Sequence, residues 1–478
     1  MNRARATKIL LVLLIISIIL TAATATLANN SAPKITGTSV SVLPANVIWS
    51  KTYGVLGDDD RAYCALPAGD GYLVVGSSES NKTDVTVGWA LMLSQDGNAV
   101  WNKTFLEGSD TELRFALNLT DGFLLVGNEF QPLGNMNGFV SKIDEQGNLI
   151  WSKTIAGSGT DEFYSAFAAT DGFVLLGLSS QNGGEQSQAW IVKIDTNGNV
   201  LWDKTYSIAS DAVAKAGVQA SDGSYVVSGY ADPRGSSDFS FLLMKIDPNG
   251  NLVWNQTYGA AGSQEATAMT EASGGYVIVG NTQAPGGNMH AWVIKVDLNG
   301  TLLWTKTVGG KDADSPSCIV PSGDGCYLVG GFTFSFGAGN RDFWLFKIND
   351  SGQAIWSCTQ GDAGYQEAYS VIPTAKNQCV MVGWTDPPGQ PALIGRARYM
   401  FYVVNINYPK VSRGPSSLQF ALYSIIACDT LLAILLVLFT LRRGLNVCDP
   451  RTGKHRFSKL LTQSISSTKT HFQFIINM

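Results

Sequence analysis

The chain has 478 residues, with 33 Lys and Arg against 38 Asp and Glu, and its formal net charge is −5 at pH 7. This acidic balance argues against nucleic acid or an anionic lipid surface as the partner, because both attract basic proteins. The chain has only three histidines, so it is poor in the nitrogen ligands that transition metals prefer.

The first element in the chain is a short apolar run behind a basic start. Arg3, Arg5 and Lys8 precede apolar residues 9–20, and small residues follow. This order is typical of a secretory signal peptide, here over 1–28, although an uncleaved membrane anchor has similar features. Residues 29–45 are then predicted to be a linker without a structural role.

From residue 46 to residue 407 the sequence repeats with a period of 50 to 52 residues. The repeat is marked by seven tryptophans: Trp49, Trp101, Trp151, Trp202, Trp254, Trp304 and Trp356. Each period contains four short apolar runs bounded by Gly, Asp and Asn, which is the pattern of strands. Four strands per repeat at this period predict an all-β fold, a β-propeller of four-stranded blades.

The two ends of the repeat region complement each other. The first repeat begins with an unaccompanied fourth strand, NVIWSKT (46–52), and the last ends with an unaccompanied third strand, FYVVNIN (401–407). Pairing them completes a seventh blade and leaves no open sheet edge at the junction. The sequence therefore predicts a seven-bladed propeller closed by its N- and C-terminal strands.

The hairpin before each tryptophan has its own pattern, as in KIDTNGNVLWDKTY (193–206). Asp, Asn and Gly suit a three-residue hairpin loop, whereas a calcium loop of the EF-hand type would need a Glu where Tyr206 stands. The Asp-x-Asn-Gly-Asn-x-x-Trp run resembles the tryptophan-docking repeat of quinoprotein-type propellers, shortened by one residue. GGYVIVGNT (274–282) is similar to repeats of archaeal and bacterial surface propellers. The resemblance implies a structural tryptophan and carries no cofactor over.

Beyond a second linker at 408–417, residues 418–441 form an apolar run long enough to cross a bilayer. Arg442 and Arg443 follow, and the tail 442–478 is basic, which favours a cytoplasmic location. We therefore expect a single-pass type I protein of the cell membrane with an extracellular propeller. Residues 29–417 contain 23 basic and 36 acidic residues, so their net charge is about −13.

The cysteines do not form an evident disulfide framework. Five of seven lie in the repeat region, namely Cys64, Cys318, Cys326, Cys358 and Cys379. No Cys-x-x-Cys pair exists, so zinc is not predicted. Cys318 and Cys326 flank one turn, and either a bridge between two strands or two buried thiols would fit.

The sequence contains no catalytic motif, and His290 alone cannot form a metal site. We therefore predict no enzyme activity and no cofactor. The loops opposite the short turns vary in length and content, and loops on a rigid scaffold usually carry binding. Exposed candidates in these loops are Phe130, Arg234, Phe334, Phe336, Arg341, Arg396 and Arg398.

An acid stands eleven or twelve positions before the second strand in six blades. These acids are Asp60, Glu112, Glu162, Glu265, Asp314 and Glu367. We expect them around the channel mouth on the variable-loop face, where they would either cap backbone N–H groups or form a ring that binds cations such as calcium.

Three functions remain open from the sequence. The first is a cell-surface binding module that takes an extracellular protein, glycan or envelope polymer on the variable-loop face. The second is a structural envelope component with no soluble ligand. The third, which the sequence favours least, is an enzyme of the quinoprotein or another type.

Overall fold

The computed structural model describes residues 41–408 except 56–57, 81–82, 106–109, 132–134, 158, 181–185, 234, 236–237, 260–261, 284–286 and 387–398. These residues form 28 strands in seven four-stranded antiparallel sheets. No helix occurs in this part of the chain, and hence none that could cross a membrane. The predicted signal peptide, apolar segment 418–441 and basic tail lie outside the described residues.

Each sheet is one blade, numbered here along the chain. Blades one to three comprise β2 (Asp59–Ala68), β3 (Gly71–Glu79), β4 (Thr86–Ser94), β5 (Ala99–Phe105); β6 (Thr111–Leu119), β7 (Gly122–Phe130), β8 (Met136–Ile143), β9 (Leu149–Ile155); and β10 (Thr160–Ala169), β11 (Gly172–Ser180), β12 (Ser187–Ile194), β13 (Val200–Tyr206). Blades four to six comprise β14 (Asp211–Gln219), β15 (Tyr225–Asp232), β16 (Ser240–Ile246), β17 (Leu252–Tyr258); β18 (Ser263–Ala272), β19 (Gly275–Gln283), β20 (Met289–Asp297), β21 (Leu302–Val308); and β22 (Asp314–Pro321), β23 (Cys326–Thr333), β24 (Asp342–Asn349), β25 (Ala354–Gln360).

Blade seven joins the two ends of the folded chain. It comprises β26 (Gln366–Ala375), β27 (Gln378–Thr385), β28 (Met400–Asn407) and β1 (Asn46–Tyr53), and β28 lies between β27 and β1. The antiparallel pairing runs from Asn46 opposite Asn407 to Tyr53 opposite Phe401. The predicted seven blades and their closure are therefore observed.

Part of the segment predicted as a linker contacts the propeller. Val42 forms a parallel bridge with Ser357 on the outer strand of blade six. The Leu43 N–H donates to the Ser357 carbonyl at 2.8 Å, and the Ser357 N–H donates to the Ser41 carbonyl at 3.1 Å. Leu43 and Ala45 also pack on the apolar cluster of blades six and seven. Residues 41–45 thus cover an edge that a simple linker would leave open.

The core lies between the blades. Seven apolar clusters each combine the facing sides of two neighbouring sheets, for example Leu176 and Ile191 of blade three with Val227 and Leu242 of blade four. The first strands of neighbouring blades contact one another around the whole ring, including β2 with β26. These inner strands therefore line the central channel. Runs such as YLVVG and FVLLG are apolar on both sides because both faces of each sheet are covered.

Candidate functional site

Every inner strand contains a β-bulge at the same place. The pairing with the second strand skips one residue in each blade. We name the skipped residues the bulge ring: Tyr63, Arg114, Tyr164, Lys215, Thr267, Ser317 and Tyr369. A bulge leaves its extra residue unpaired and redirects the side chain. The ring is large and polar in five blades and small in blades five and six.

A second set of residues precedes the bulge ring by two positions. We name it the entry ring: Arg61, Glu112, Glu162, Val213, Glu265, Ser315 and Glu367. Residues two apart share one face of a strand, and contacts between the sets confirm this: the Tyr164 hydroxyl donates to Glu162 at 2.8 Å. Both rings lie near the start of each inner strand, on the side of the variable loops, so together they form the channel mouth.

Blades seven, one and two hold their charges in ion pairs. Arg61 pairs with Asp59 at 2.9 Å, and Arg114 pairs with Glu112 at 2.7 Å. Arg341, from the loop after β23, pairs with Glu367. We name this part of the mouth the paired sector.

Aromatic rings cover the same guanidinium groups. Arg61 lies 4.9 Å from the Tyr399 ring centre, and Arg114 lies 4.7 Å from that of Tyr63. Arg341 lies 4.3 Å from Phe332, with Phe334 and Trp384 farther away. Such cation–π contacts hold each guanidinium in place. The Nε atoms of Arg114 and Arg341 are buried and have no hydrogen-bond partner in the described part of the chain.

Blades three, four and five form the open sector, in which the charges are not paired. The Lys215 ammonium lies 3.1 Å from the centre of the Tyr164 ring and 5.8 Å from that of Tyr230. It forms no ion pair or hydrogen bond with the described residues. The pKa of Lys215 is lowered to about 7, mainly by burial and also by the positive charge of Arg114, while Glu162 and Glu265 act in the opposite direction. Its charge therefore changes near neutral pH.

Glu265, an entry-ring residue of the next blade, carries the opposite charge to Lys215. Burial raises the pKa of Glu265, while the charge of Lys215 opposes this shift. The carboxylate of Glu265 also lacks a hydrogen bond or ion pair to any described residue. Beside it, Thr267 donates to the Pro316 carbonyl at 3.0 Å. Thr267 is one of the two small members of the bulge ring.

The six acids singled out in the sequence fall into two sets. Glu112, Glu162, Glu265 and Glu367 belong to the entry ring. Asp60 and Asp314 lie one residue earlier relative to the bulge and are fully buried. Asp60 accepts from the Val55 N–H at 3.1 Å, and Asp314 accepts from the Gly310 N–H at 2.7 Å. These two aspartates therefore cap the turns that enter their blades, away from the channel.

The acids do not converge as a metal site. Within the described ranges, no group of three or more His, Cys, Asp or Glu side chains could hold a metal ion. Glu112 and Glu367 are held by arginines, and Glu162 accepts from Tyr164. No disulfide joins any of the described cysteines, namely Cys64, Cys318, Cys326, Cys358 and Cys379. Burial raises the pKa of Cys318 to about 12.

The repeated tryptophans have a different role, at the other end of the strands. Trp49, Trp101, Trp202 and Trp304 each donate Nε1–H to a carbonyl in the turn of the next blade at 3.0 to 3.1 Å. The ring lies on the turn glycine, and a Cβ at Gly198 would come within 2.7 Å of Trp151. Trp356, whose next blade has no such turn, stacks on Tyr408 at 5.1 Å.

Neighbouring residues of the motif complete this contact. Lys204 donates to the Asn251 side chain at 3.0 Å, and the Tyr206 hydroxyl donates to the Gly250 carbonyl at 2.8 Å. Lys51 and Tyr53 make the equivalent contacts at the closure. The tryptophan and the residues that follow it therefore link six of the blades to the next one, which explains why the chain repeats this pattern.

The exposed loop residues predicted from the sequence lie in different environments. Arg341 and Phe334 join the paired sector, whereas Phe336 packs against Trp344 in the core at 6.3 Å. Phe130 stays exposed at the end of β7. Arg234, Arg396 and Arg398 lie outside the described residues.

A cavity of about 490 Å³ lies between blades seven and one on the side of the short turns. Its wall includes Trp49, Tyr72, Asp70 and Asp96, with no Lys or Arg. Both carboxylates are exposed to solvent. The channel mouth is therefore the stronger candidate, since it combines half-buried charges of both signs with aromatic surfaces.

Sequence reasoning missed the basic and aromatic members of the mouth. Arg61, Arg114 and Lys215 carry no motif. Arg61 and Arg114 are marked only by their position two residues after an acid on an inner strand, and Lys215, two residues after Val213, lacks even that signal. Polar residues at alternate positions, as in Glu112 and Arg114, indicate a wet strand face in an otherwise apolar blade.

Comparisons with known proteins identify no family for this chain. No protein-family model matches the sequence, and no curated protein matches it. The Pan2 WD40 domain of Neurospora crassa is 12% identical, with 78% of this chain and 99% of that chain covered at a TM-score of 0.48. YCF48 bound to D1 peptide is 12% identical, with 79% and 100% covered at 0.44.

A third similar structure is the propeller domain of the Trilobed protease from Pyrococcus furiosus, described as having an open velcro topology. It is 10% identical, with 72% of this chain and 93% of that chain covered at a TM-score of 0.42. At these identities the similarities indicate neither a family nor an activity. The protein is a seven-bladed β-propeller, and its site must be interpreted from its own residues.

Proposed function

We propose that this protein is a cell-surface binding module whose extracellular propeller holds its ligand at the channel mouth. The single observation that carries the proposal is the concentration of half-buried Arg, Lys and Glu side chains in the two rings, with aromatic faces against the Arg and Lys groups. Removing charged groups from water costs free energy even when they are paired. A channel that served packing alone would be more stable with apolar side chains, so these charges favour a role in recognition.

Membrane anchoring belongs to the same proposal. The basic start and short apolar run of 1–28 support export, and the apolar run 418–441 followed by Arg442 and Arg443 supports a single-pass type I anchor. The similarity of the repeat to archaeal and bacterial surface propellers points to the same location. Protease treatment of intact cells should then release propeller fragments. Release only after lysis would contradict this location.

The binding role is tested by identifying what co-purifies with the full chain in detergent. The site variant combines Arg61→Met and Arg341→Met, and the control is Lys306→Met on the outer strand β21. A ligand retained by the wild type and the control, but lost from a folded site variant, would support the channel mouth. A ligand that stays with the site variant and is lost on trimming loop 384–399 would move binding to the loops.

An envelope component without soluble ligand is the alternative. It predicts that nothing co-purifies and that neither glycans nor peptides bind the wild type. That result would contradict the proposed function. The enzyme alternative has no observation in its favour among the described residues.

A further inference from the structure

The open sector contains a cation and a carboxylate that do not neutralise each other. Lys215 of blade four and Glu265 of blade five influence each other's ionisation, yet no ion pair joins them in the described part of the chain. In the paired sector, by contrast, Arg61, Arg114 and Arg341 each contact a carboxylate directly. The difference indicates that the open sector is arranged for charges that come from outside the protein.

The walls of the open sector agree with a small ligand. Tyr164 and Tyr230 provide aromatic faces beside Lys215, and Phe239 supports Tyr230 at 5.1 Å between ring centres. Thr267 and Ser317 are the two small members of the bulge ring. The bulge-ring side chains are therefore smallest in the blade that carries Glu265 and in the blade after it.

Ligands with a single kind of charge fit this sector less well. An anion would meet Lys215 but would be repelled by Glu162 and Glu265, and a cation would meet the glutamates but would be repelled by Lys215 and Arg114. A neutral polyol would leave both half-buried charges without a counterion. A ligand with one charge of each sign satisfies the whole set.

We propose that the open sector binds a small zwitterion, with the carboxylate of the ligand on Lys215 and its ammonium group on Glu265. This inference rests on the proposed binding function and names its ligand class. Charge-assisted hydrogen bonds at both ends would relieve the cost of burying the two side chains. The Tyr164 and Tyr230 faces would hold the Lys215 ammonium in place for the carboxylate of the ligand.

The affinity should depend on pH because the ligand carboxylate needs a protonated Lys215. The groups that face Lys215 are Arg114 from β6, Glu162 and Tyr164 from β10, Tyr230 from β15 and Glu265 from β18. The lowered pKa of Lys215, about 7, means that the free site loses its positive charge as pH rises through neutrality. Binding should therefore weaken about tenfold between pH 6 and pH 8.

The test is calorimetric titration of the full chain in detergent with a length series of zwitterions: glycine, β-alanine and 4-aminobutyrate. Acetate, propionate and butyrate, and the amines of equal length, are the probes with one charge. We expect one zwitterion to bind at least about tenfold more tightly than its single-charge counterparts. The best chain length reports the distance between Lys215 and Glu265.

Variants separate the two ends of the ligand. Lys215→Met and Glu265→Gln should each reduce zwitterion binding about tenfold or more, whereas Lys376→Met and Glu271→Gln, both exposed on the side of the short turns, should not change it. Lys215→Arg should retain binding and abolish its dependence on pH between 6 and 8, because arginine stays charged. Tryptophan fluorescence confirms that each variant is folded.

Two results would overturn the inference. Equal affinity for zwitterions and single-charge probes, or no loss in either folded site variant, would show that the open sector does not select a zwitterion. If no probe binds while another ligand co-purifies at the channel mouth, the inference fails and the binding function stands. If no probe binds and nothing co-purifies, both fail.

Discussion

Each blade contains one β-bulge near the start of its inner strand and another on its outer strand, and the residue types at these two bulges differ. The outer-strand bulge always holds an aliphatic residue: Ile48, Val100, Ile150, Leu201, Val253, Leu303 and Ile355. The inner-strand bulge holds Tyr, Arg, Lys, Thr or Ser. The residue class is thus constant at the outer-strand bulge and variable at the inner-strand bulge.

This difference indicates which positions of the repeat are needed for structure and which are free to vary. The outer bulge directly precedes the docking tryptophan, which in six blades makes the same contact with the turn of the next blade, so the residue class is constant. The inner bulge faces the channel, where each blade meets different neighbours and no repeated contact constrains it. Positions that vary among otherwise equal repeats are therefore the positions available for binding.

The largest effect should come from removing a whole outer strand. Deleting 1–53 takes away β1 with Ile48 and Trp49, opens blade seven and exposes the edge of β28, so the propeller should not fold. Deleting 1–40 should leave the melting temperature unchanged, and deleting 1–45 should lower it slightly, because Val42 and Leu43 contact blade six. Equal melting of all three truncations would contradict the closure.

A single methyl group tests the tryptophan contact. Gly198 and Gly223 both have a positive φ, +79° and +83°, but a Cβ at Gly198 meets Trp151 whereas nothing lies within 4 Å at Gly223. Gly223→Ala should therefore cost about 1–2 kcal/mol of unfolding free energy for the left-handed backbone alone. Gly198→Ala should cost roughly 1–3 kcal/mol more, because the tryptophan must move.

Denaturant unfolding measures this pair. If the two variants lose the same free energy, the glycine serves only the turn conformation, and the tryptophan does not link the blades through it.

The two sets of acids should respond differently to loss of charge. Asp314→Asn replaces a buried acceptor of the Gly310 N–H and the Ser335 hydroxyl, which should cost roughly 1–3 kcal/mol of unfolding free energy. Glu265→Gln, at a carboxylate without a partner in the described part of the chain, should change it by less than about 0.5 kcal/mol. Comparable losses would mean that both sets of acids are structural.

The effect expected at Lys215 should depend on pH. The pKa of Lys215 in the folded protein, about 7, lies below the ordinary 10.5. The charged lysine therefore lowers the free energy of unfolding by its full amount below pH 7, and this loss decreases as pH rises towards 10.5. Lys215→Met should therefore be more stable than the wild type at pH 6. The gain should be on the order of 1–2 kcal/mol, because the tyrosine contacts offset part of the burial cost.

The gain should shrink by pH 10. Urea unfolding of both proteins at the two pH values decides this. A variant less stable than the wild type at pH 6 would show that Lys215 has a counterion in the free protein.

The blade count and closure could be predicted because they rest on period and strand pattern, which tolerate errors of a residue or two. The acids could not be assigned to a face in this way. Side chains alternate along a strand, so a shift of one residue exchanges channel for core. Asp314 and Glu367 both stand twelve residues before the second strand, yet Asp314 is a cap and Glu367 faces the channel.

The bulges explain this failure. Blade seven has a second irregularity between Pro373 and Ala375, which adds a residue to the count without moving Glu367 off the channel face. No local composition marks such a bulge. The burial of Lys215 against tyrosines from two blades could not be predicted from the sequence either, because it depends on how neighbouring sheets pack.

The position of β28 inside blade seven also has a mechanical consequence. This strand is hydrogen-bonded on one side to β27 and on the other to β1, and it ends at Asn407. A pull on the chain beyond Asn407, directed along the strand, would load both ladders in shear, so many hydrogen bonds would have to break together. An edge strand held on one side would be far easier to peel away. The closure that joins the two ends therefore also makes the C-terminal strand a strong point of attachment.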